Sequence, residues 1–223
     1  MPEIIQDSAL RKGEALRKGE RTRLAMLQAA VDILDEQGPD ALTLQAIGSR
    51  LGMHRTAIYH HFADRDDLLA ETLEYLIARV ADGLILPADP RGRIATIALE
   101  LRRMFHRYPG ASTIFVTTGG AREGASQMEV VVLGALRELG VAETDLPVVY
   151  QVLESYTIGA SLFDFAGAPL HLESRRERHA AVGDPAMDRA TASAVQVDAT
   201  NEAAFLWGLD TLLDRIDQKS HSR

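Results

Sequence analysis

Apolar residues return every three to four positions through most of this chain, and nowhere do they alternate with polar ones for long. From Arg23 to Gln37 they fall at Leu24, Leu27, Ala30, Val31 and Leu34, the 3.6-residue period of a helix with one core face. Gly38, Pro39 and Asp40 stop it, because glycine accepts the left-handed cap and proline cannot continue the ladder. Short helices are expected over 44–51, with Thr43 as N-cap and Gly52 as C-terminal cap, and over about 54–61. Asp64, with Asp67 three residues on, caps a longer helix that carries Leu69, Leu73, Leu76, Ile77 and Val80 on one face. Beyond a break at Leu86–Pro90, helices are expected at about 91–108, 123–139, 146–165 and 201–217. The stretch 167–200, with Pro169, Gly183 and Pro185, is expected to be a weakly structured connection holding a short helix at most. The expected fold class is all-α.

Composition narrows the function. Over 223 residues, 46% hydrophobic and 25% charged residues are those of a folded chain. No apolar run reaches the roughly 20 residues of a membrane helix, and no apolar signal core opens the sequence, so a cytoplasmic protein without membrane contact is expected. The absence of cysteine removes disulfides, thiolate metal sites and a thiol nucleophile together. The glycine-rich Thr117–Gly124 follows no strand, lacks the lysine and hydroxyl of a phosphate loop, and is expected to be a plain loop. His171, Glu173 and His179 fit no metal-ligand spacing. No catalytic residue, metal or cofactor is expected.

The chemistry lies in "TLQAIGSRLGMHRTAIYHHF", Thr43 to Phe62. Two short amphipathic helices joined at Gly52 form a helix-turn-helix. Leu44, Ile47 and Leu51 face inward from the first, Ala57, Ile58 and Phe62 from the second, and Met53 fills the turn. Arg55, Thr56, Tyr59 and His60 face outward. Arginine can donate two parallel bonds to guanine, while hydroxyls and tyrosine hold phosphates, so this helix suits a major groove.

The spacing Thr43-x3-Ile47-x4-Gly52-x5-Ile58-Tyr59-x-His61-Phe62, followed by Arg65 and Leu68–Leu69, resembles the tetracycline-repressor (TetR) family of transcriptional regulators. The resemblance covers about residues 23–69. It implies an N-terminal three-helix DNA-binding domain joined by a linking helix to a larger helical domain that binds an effector and dimerises. The closing "FLWGLDTLLDRI" at Phe205–Ile216 looks like the family's dimerisation helix. By resemblance, phosphate contacts fall on Thr43, Tyr59, His61 and Arg65, and base-reading positions on Gln45, Arg55, Thr56, Ala57 and His60. Two residues depart from the family's pattern. His54 stands where a serine or threonine usually caps the second helix, and its imidazole either replaces that cap or reaches a phosphate. Gly48 stands where alanine is usual, at a cost of about 0.5–1 kcal/mol of helix stability.

Three segments are therefore expected: a flexible basic arm over 1–19, a DNA-binding domain over 20–66, and a regulatory domain over 67–223. The arm holds the doubled hexamer "ALRKGEALRKGE". From Ala9 to Arg23 the local charge is +4 in a chain of net −8, leaving −12 on the rest, a split that directs one end toward a polyanion. Gly13 and Gly19 argue for disorder off DNA.

In the larger part, helices 146–165 and 201–217 are the candidates for a homodimer interface. Gly159, Ala160 and Ser161 permit close approach, and Phe205, Leu209, Leu212, Leu213 and Ile216 form an apolar stripe. Effector lining is expected from Met104, Phe105, Tyr108 and Phe115, and from Met128, Val132, Tyr156, Phe163 and Trp207. Arg103, His106, Thr117, Thr118, Gln127 and Asp164 are candidate polar anchors. These features point to a repressor that binds a palindromic operator in double-stranded DNA as a homodimer. A small apolar or amphipathic effector would release it. The alternative is a helical interaction module governed by a protein partner.

Overall fold

A computed structural model describes residues 3–119, 124–165 and 170–221. Helix α1 (Glu3–Gln37) leads through a 3-10 turn at Pro39–Ala41 to α2 (Leu44–Leu51), α3 (Arg55–Tyr59) and α4 (Arg65–Gly83). There follow α5 (Pro90–Arg107), α6 (Pro109–Thr118), α7 (Gly124–Glu138) and α8 (Leu146–Phe165). The chain closes with α9 (Leu170–Val182), α10 (Pro185–Ala190) and α11 (Ala194–His221). No strand occurs among the described residues, and the fold is all-α.

The first four helices form one packed unit, the head. Met26, Leu27, Ala30, Val31 and Leu34 bury one face of α1, against α2 and α4. The start of α1 differs from expectation, because the doubled hexamer is helical where disorder off DNA is expected. Alanine, leucine, arginine, lysine and glutamate are strong helix formers, and the packed turns at 26–34 supply the nucleus. Extension then costs only about 1 kcal/mol at each glycine. Thr43 caps α2 by accepting from the Ala46 N–H at 3.1 Å, and Gly52 ends it at φ 62°, in the left-handed region. Asp64 accepts from the Asp67 N–H at 2.8 Å, and the Asp67 carboxylate reaches back to the Ala63 N–H at 3.0 Å. This reciprocal cap fixes where α4 begins.

In the body, α5 lies against α7 and α8, and α11 covers α8 and α5. Two expectations are corrected here. A helix, α6, begins at Pro109, which occupies its first turn, so Thr117 and Thr118 are helical and not loop. Residues 120–123 of the expected glycine-rich loop lie outside the described residues. The second correction concerns 167–200: α9, α10 and the first turns of α11 occupy most of it. The chain breaks between α9 and α10 where Asp184 caps α10, accepting from the Ala186 and Met187 N–H groups, with Pro185 in the first turn.

The apolar stripe of α11 also goes elsewhere than expected. Phe205, Leu209, Leu213 and Ile216 are buried within the chain, packed toward α8 and α5, and so is Ser161. Phe205 stacks on Tyr156 at 5.5 Å between ring centroids and lies under the Arg102 guanidinium, 4.9 Å from its centroid. Arg102 donates to the Asp164 carboxylate at 2.7 Å, both side chains being more than nine-tenths buried. A buried pair of this kind ties α5 to α8 and costs heavily if one partner is removed.

Head and body meet at a tight seam. The Arg107 guanidinium at the end of α5 forks onto the Asp35 carboxylate of α1 at 3.0 and 2.8 Å. Gly110, in the first turn of α6, lies so close to the head that a Cβ there would stand 2.7 Å from Pro39 Cδ and 2.9 Å from Leu34 Cδ1. Leu34 is buried and cannot swing away. Replacing Gly110 with alanine should therefore lower stability by about 1–3 kcal/mol, read as a fall in the urea midpoint at unchanged m-value. An unchanged midpoint would mean the seam has slack.

Candidate nucleic-acid interface and effector cavity

Of the inward residues expected in the helix-turn-helix, Leu44, Ile47, Ile58 and Phe62 are buried, while Leu51, Met53 and Ala57 are half-buried. Gly48 sits under the turn: a Cβ there would be 3.2 Å from the Met53 carbonyl oxygen. Met53 in turn donates its N–H to the Gly48 carbonyl at 2.9 Å. The tight turn sets α3 across α2. Outside, Thr43, Gln45, Arg55, Tyr59 and Arg65 line one shallow concavity of about 800 Å3 between α2, α3 and the start of α4.

Arg55 is held before any partner arrives. Its Nη2 donates to the Tyr59 hydroxyl at 3.0 Å, and its guanidinium lies 5.1 Å from the Tyr59 ring centroid. Thr56 and His60 are exposed, while Ala57 and His61 are half-buried. Arg65 does more than the resemblance implies: it donates from Nε to the Leu42 carbonyl at 3.0 Å and from Nη2 to the Pro39 carbonyl at 2.8 Å. It thus braces the segment before α2, and its other N–H groups face outward on an exposed side chain.

His54 takes the cap position. Its Nδ1 accepts from the Thr56 N–H at 3.4 Å, a long bond, and lies 3.2 Å from the Thr56 hydroxyl. Of the two roles open to it in the sequence, the imidazole fills the cap.

A second concavity lies inside the body, with an internal volume of about 80 Å3. Its walls come from α4 (Ile77), α5 (Ile94, Ile97, Ala98, Leu101), α6 (Phe115), α7 and α8. Of the expected lining, Phe115, Met128 and Val132 are there. Phe105 is fully buried behind, its ring edge-on to Phe115 at 6.3 Å, and Met104 is buried in the core. Tyr108 sits at the bend between α5 and α6. The Tyr156 hydroxyl donates to the Phe205 carbonyl at 2.9 Å, so this side chain is turned onto α11. Phe163 and Trp207 are 51% and 75% exposed, on the outer faces of α8 and α11.

None of the six candidate polar anchors lines the cavity. Asp164 is committed to Arg102, Arg103 pairs with Glu100, and Thr117 and Thr118 bond to carbonyls of their own helix. The polar groups that do line it are Glu129, Tyr150, Glu154 and Thr157, which sequence reasoning missed. Their positions carry the only signal that was available: charged residues set among the apolar ones of α7 and α8. Among the described residues no group of three His, Asp or Glu side chains is placed to hold a metal, and no helix is long and apolar enough to cross a membrane.

Residues 26–72 match the bacterial regulatory proteins of the tetR family, and residues 86–219 match the tetracyclin repressor-like C-terminal domain. The chain belongs to the tetR family. Over 200 residues it is 28% identical to tetracycline repressor protein class A from transposon 1721 of Escherichia coli, covering 87% of this chain and 89% of that one. A solved structure of a possible TetR family transcriptional regulator from Streptomyces coelicolor A3(2) shares 28% identity at a TM-score of 0.73, covering 87% of this chain and 98% of the other. BioQ with its double-stranded DNA operator superposes at a TM-score of 0.64 and 19% identity, over 87% of this chain and 97% of that one, a likeness of fold alone. Members of the tetR family are DNA-binding transcription regulators and not enzymes.

The long His54 bond makes a weak cap. His54→Ser, which restores a short hydroxyl at that position, should raise stability by about 0.5–1 kcal/mol, measured as a higher thermal midpoint. A lower midpoint would show that the imidazole contributes more than its hydrogen bond.

Proposed function

We propose that this tetR-family chain is a ligand-responsive repressor that binds a palindromic operator as a homodimer. A small apolar or amphipathic effector releases it. The observation that carries the reading is the single concavity shared by Thr43, Gln45, Arg55, Tyr59 and Arg65. Phosphate-holding and base-reading groups there stand side by side on a helix short enough to enter a major groove. His54, Thr56, Ala57, His60 and His61 flank that surface and complete the proposed interface. The similarity to a tetracycline repressor lends support.

A short recognition helix reads few base pairs, so two copies about 34–36 Å apart are needed. The partner surface we assign to the outer faces of α8 and α11. On α8, Val148, Val152 and Phe163 are exposed along one side with Gly159 between them, and α11 exposes Leu206 and Trp207. Apolar surface of this extent on neighbouring helices favours burial against a second copy.

Release follows from two helices that run from cavity to head. Helix α4 puts Ile77 in the cavity wall and, through Arg65 at its start, braces the head. Helix α6 puts Phe115 in the wall and seats Gly110 on Pro39 and Leu34. An effector that prefers one tilt of these helices shifts the spacing of two heads, with a typical coupling of about 1–3 kcal/mol.

Footprinting on the DNA flanking the gene tests the reading. The wild type should protect a two-fold site, and Arg55→Ala should weaken protection by about 1–3 kcal/mol. A variant lacking residues 1–20 should show a shallower salt dependence if the basic helix touches phosphates, by about 0.9 log units for each phosphate that is no longer neutralised. Absence of protection there and on a pool of genomic fragments would favour the module governed by a protein partner.

A further inference from the structure

The lining of the cavity in the body is apolar apart from Glu129 of α7 and Tyr150, Glu154 and Thr157 of α8. Both carboxylates and the tyrosine are half-buried. Burial first, then the charges of Glu154 and Glu129 and a hydrogen bond to Glu154, push the Tyr150 hydroxyl well above the usual phenol range. Glu154 accepts a 3.3 Å bond from Gln151 Nε2 and lies beside the Tyr150 hydroxyl. Neither contact brings positive charge. The basic groups of the surrounding helices are engaged elsewhere: Arg102 with Asp164, Arg93 with Glu138, Arg137 with Glu143. Among the described residues, neither Glu129 nor Glu154 has a cationic partner.

Two carboxylates in the lining of a largely apolar cavity give that lining a negative potential. An anion entering there would be repelled by it, and a neutral molecule would gain nothing from it. A cation with an apolar body is attracted by it, and Phe115 and Tyr150 in the lining offer aromatic rings to which a cation can bind. We propose that the effector is a lipophilic organic cation of the alkylammonium class. Its charged head is held by Glu129 and Glu154, and its apolar part lies along Ile77, Ile97, Phe115 and Met128. The proposal rests on the effector-pocket reading above and gives the occupant its chemistry.

The size of the cavity bears on regulation. Its 80 Å3 is far below the roughly 300–1,000 Å3 of pockets that hold drug-sized ligands. An occupant must spread the helices around it, and Ile77 places the head-bearing α4 among them. Charge draws the ligand in, and its apolar bulk does the displacing.

Three probes with one chain and different heads separate the effects: octyltrimethylammonium, octyl sulfate and 1-octanol. Each is titrated by calorimetry into the full-length protein below its micelle concentration. The ammonium should bind about tenfold or more tighter than the alcohol, as expected for charge-assisted contacts, and the sulfate weakest. In the double variant Glu129→Gln/Glu154→Gln the ammonium should fall to the level of the alcohol. Affinity for 1-octanol should hold steady there, which also shows that the variant is folded. Equal binding of ammonium and alcohol to the wild type would overturn the cation assignment and leave the pocket standing, as would an ammonium preference that survives the double substitution. Binding of none of the three, by protein that protects its operator, would overturn the pocket as well.

Discussion

Head and body share one continuous apolar core, from Met26 and Ile47 through Leu73 and Ile114 to Phe205 and Ile216. A core packed to crystal-like density does not deform by degrees; it repacks between discrete arrangements. The head therefore cannot tilt freely on the body as a bead tilts on a linker. Any change of tilt has to be matched where α1 meets α4 and α6. At the seam the apolar contact is backed by charge: the Arg107 fork onto Asp35 crosses from body to head. As an exposed pair it contributes little to stability, but it gives the arrangement one angular register.

The two concavities have opposite characters. The outer one is wide, shallow and rimmed by donors, as a polyanion's surface requires. The inner one is small, apolar and edged by carboxylates. A net charge of −8 carried mostly outside the head keeps the body off DNA while the head approaches it. In the proposed reading, one electrostatic division of the chain presents the head to DNA and selects the charge of the effector.

Legibility in the sequence followed the range of the physics. Local signals were read well: Thr43, Gly52 and Asp64 fixed the ends of α2 and the start of α4, because a cap depends on residues within one turn. Pro109 and Asp184–Pro185 are equally local signals, for the starts of α6 and α10, but a proline in a first turn looks like a break from outside. Longer-range facts were closed to sequence. A stripe at helical spacing, such as Phe205 to Ile216, states that a helix has an apolar face without saying whether the same chain or a second copy covers it. The effector residues show the same limit. Aromatics and methionines were plausible lining by chemistry, yet Tyr156 was needed against α11 and Phe105 in the core, and the polar edge came from glutamates that looked like solvent-facing charge.

If the proposed interface holds Arg55 against base edges, the Arg55–Tyr59 contact bears on selectivity in the search for a site. A free arginine samples many rotamers, and freezing one on contact subtracts from binding at every site tested, right or wrong. Resting on its own tyrosine, Arg55 has already surrendered much of that freedom. A correct base pair must offer more than the phenol it replaces, whereas an incorrect one finds the guanidinium still satisfied at home. In the proposed interface the tyrosine thus acts as an internal competitor, a reference against which each sequence offered to Arg55 is compared.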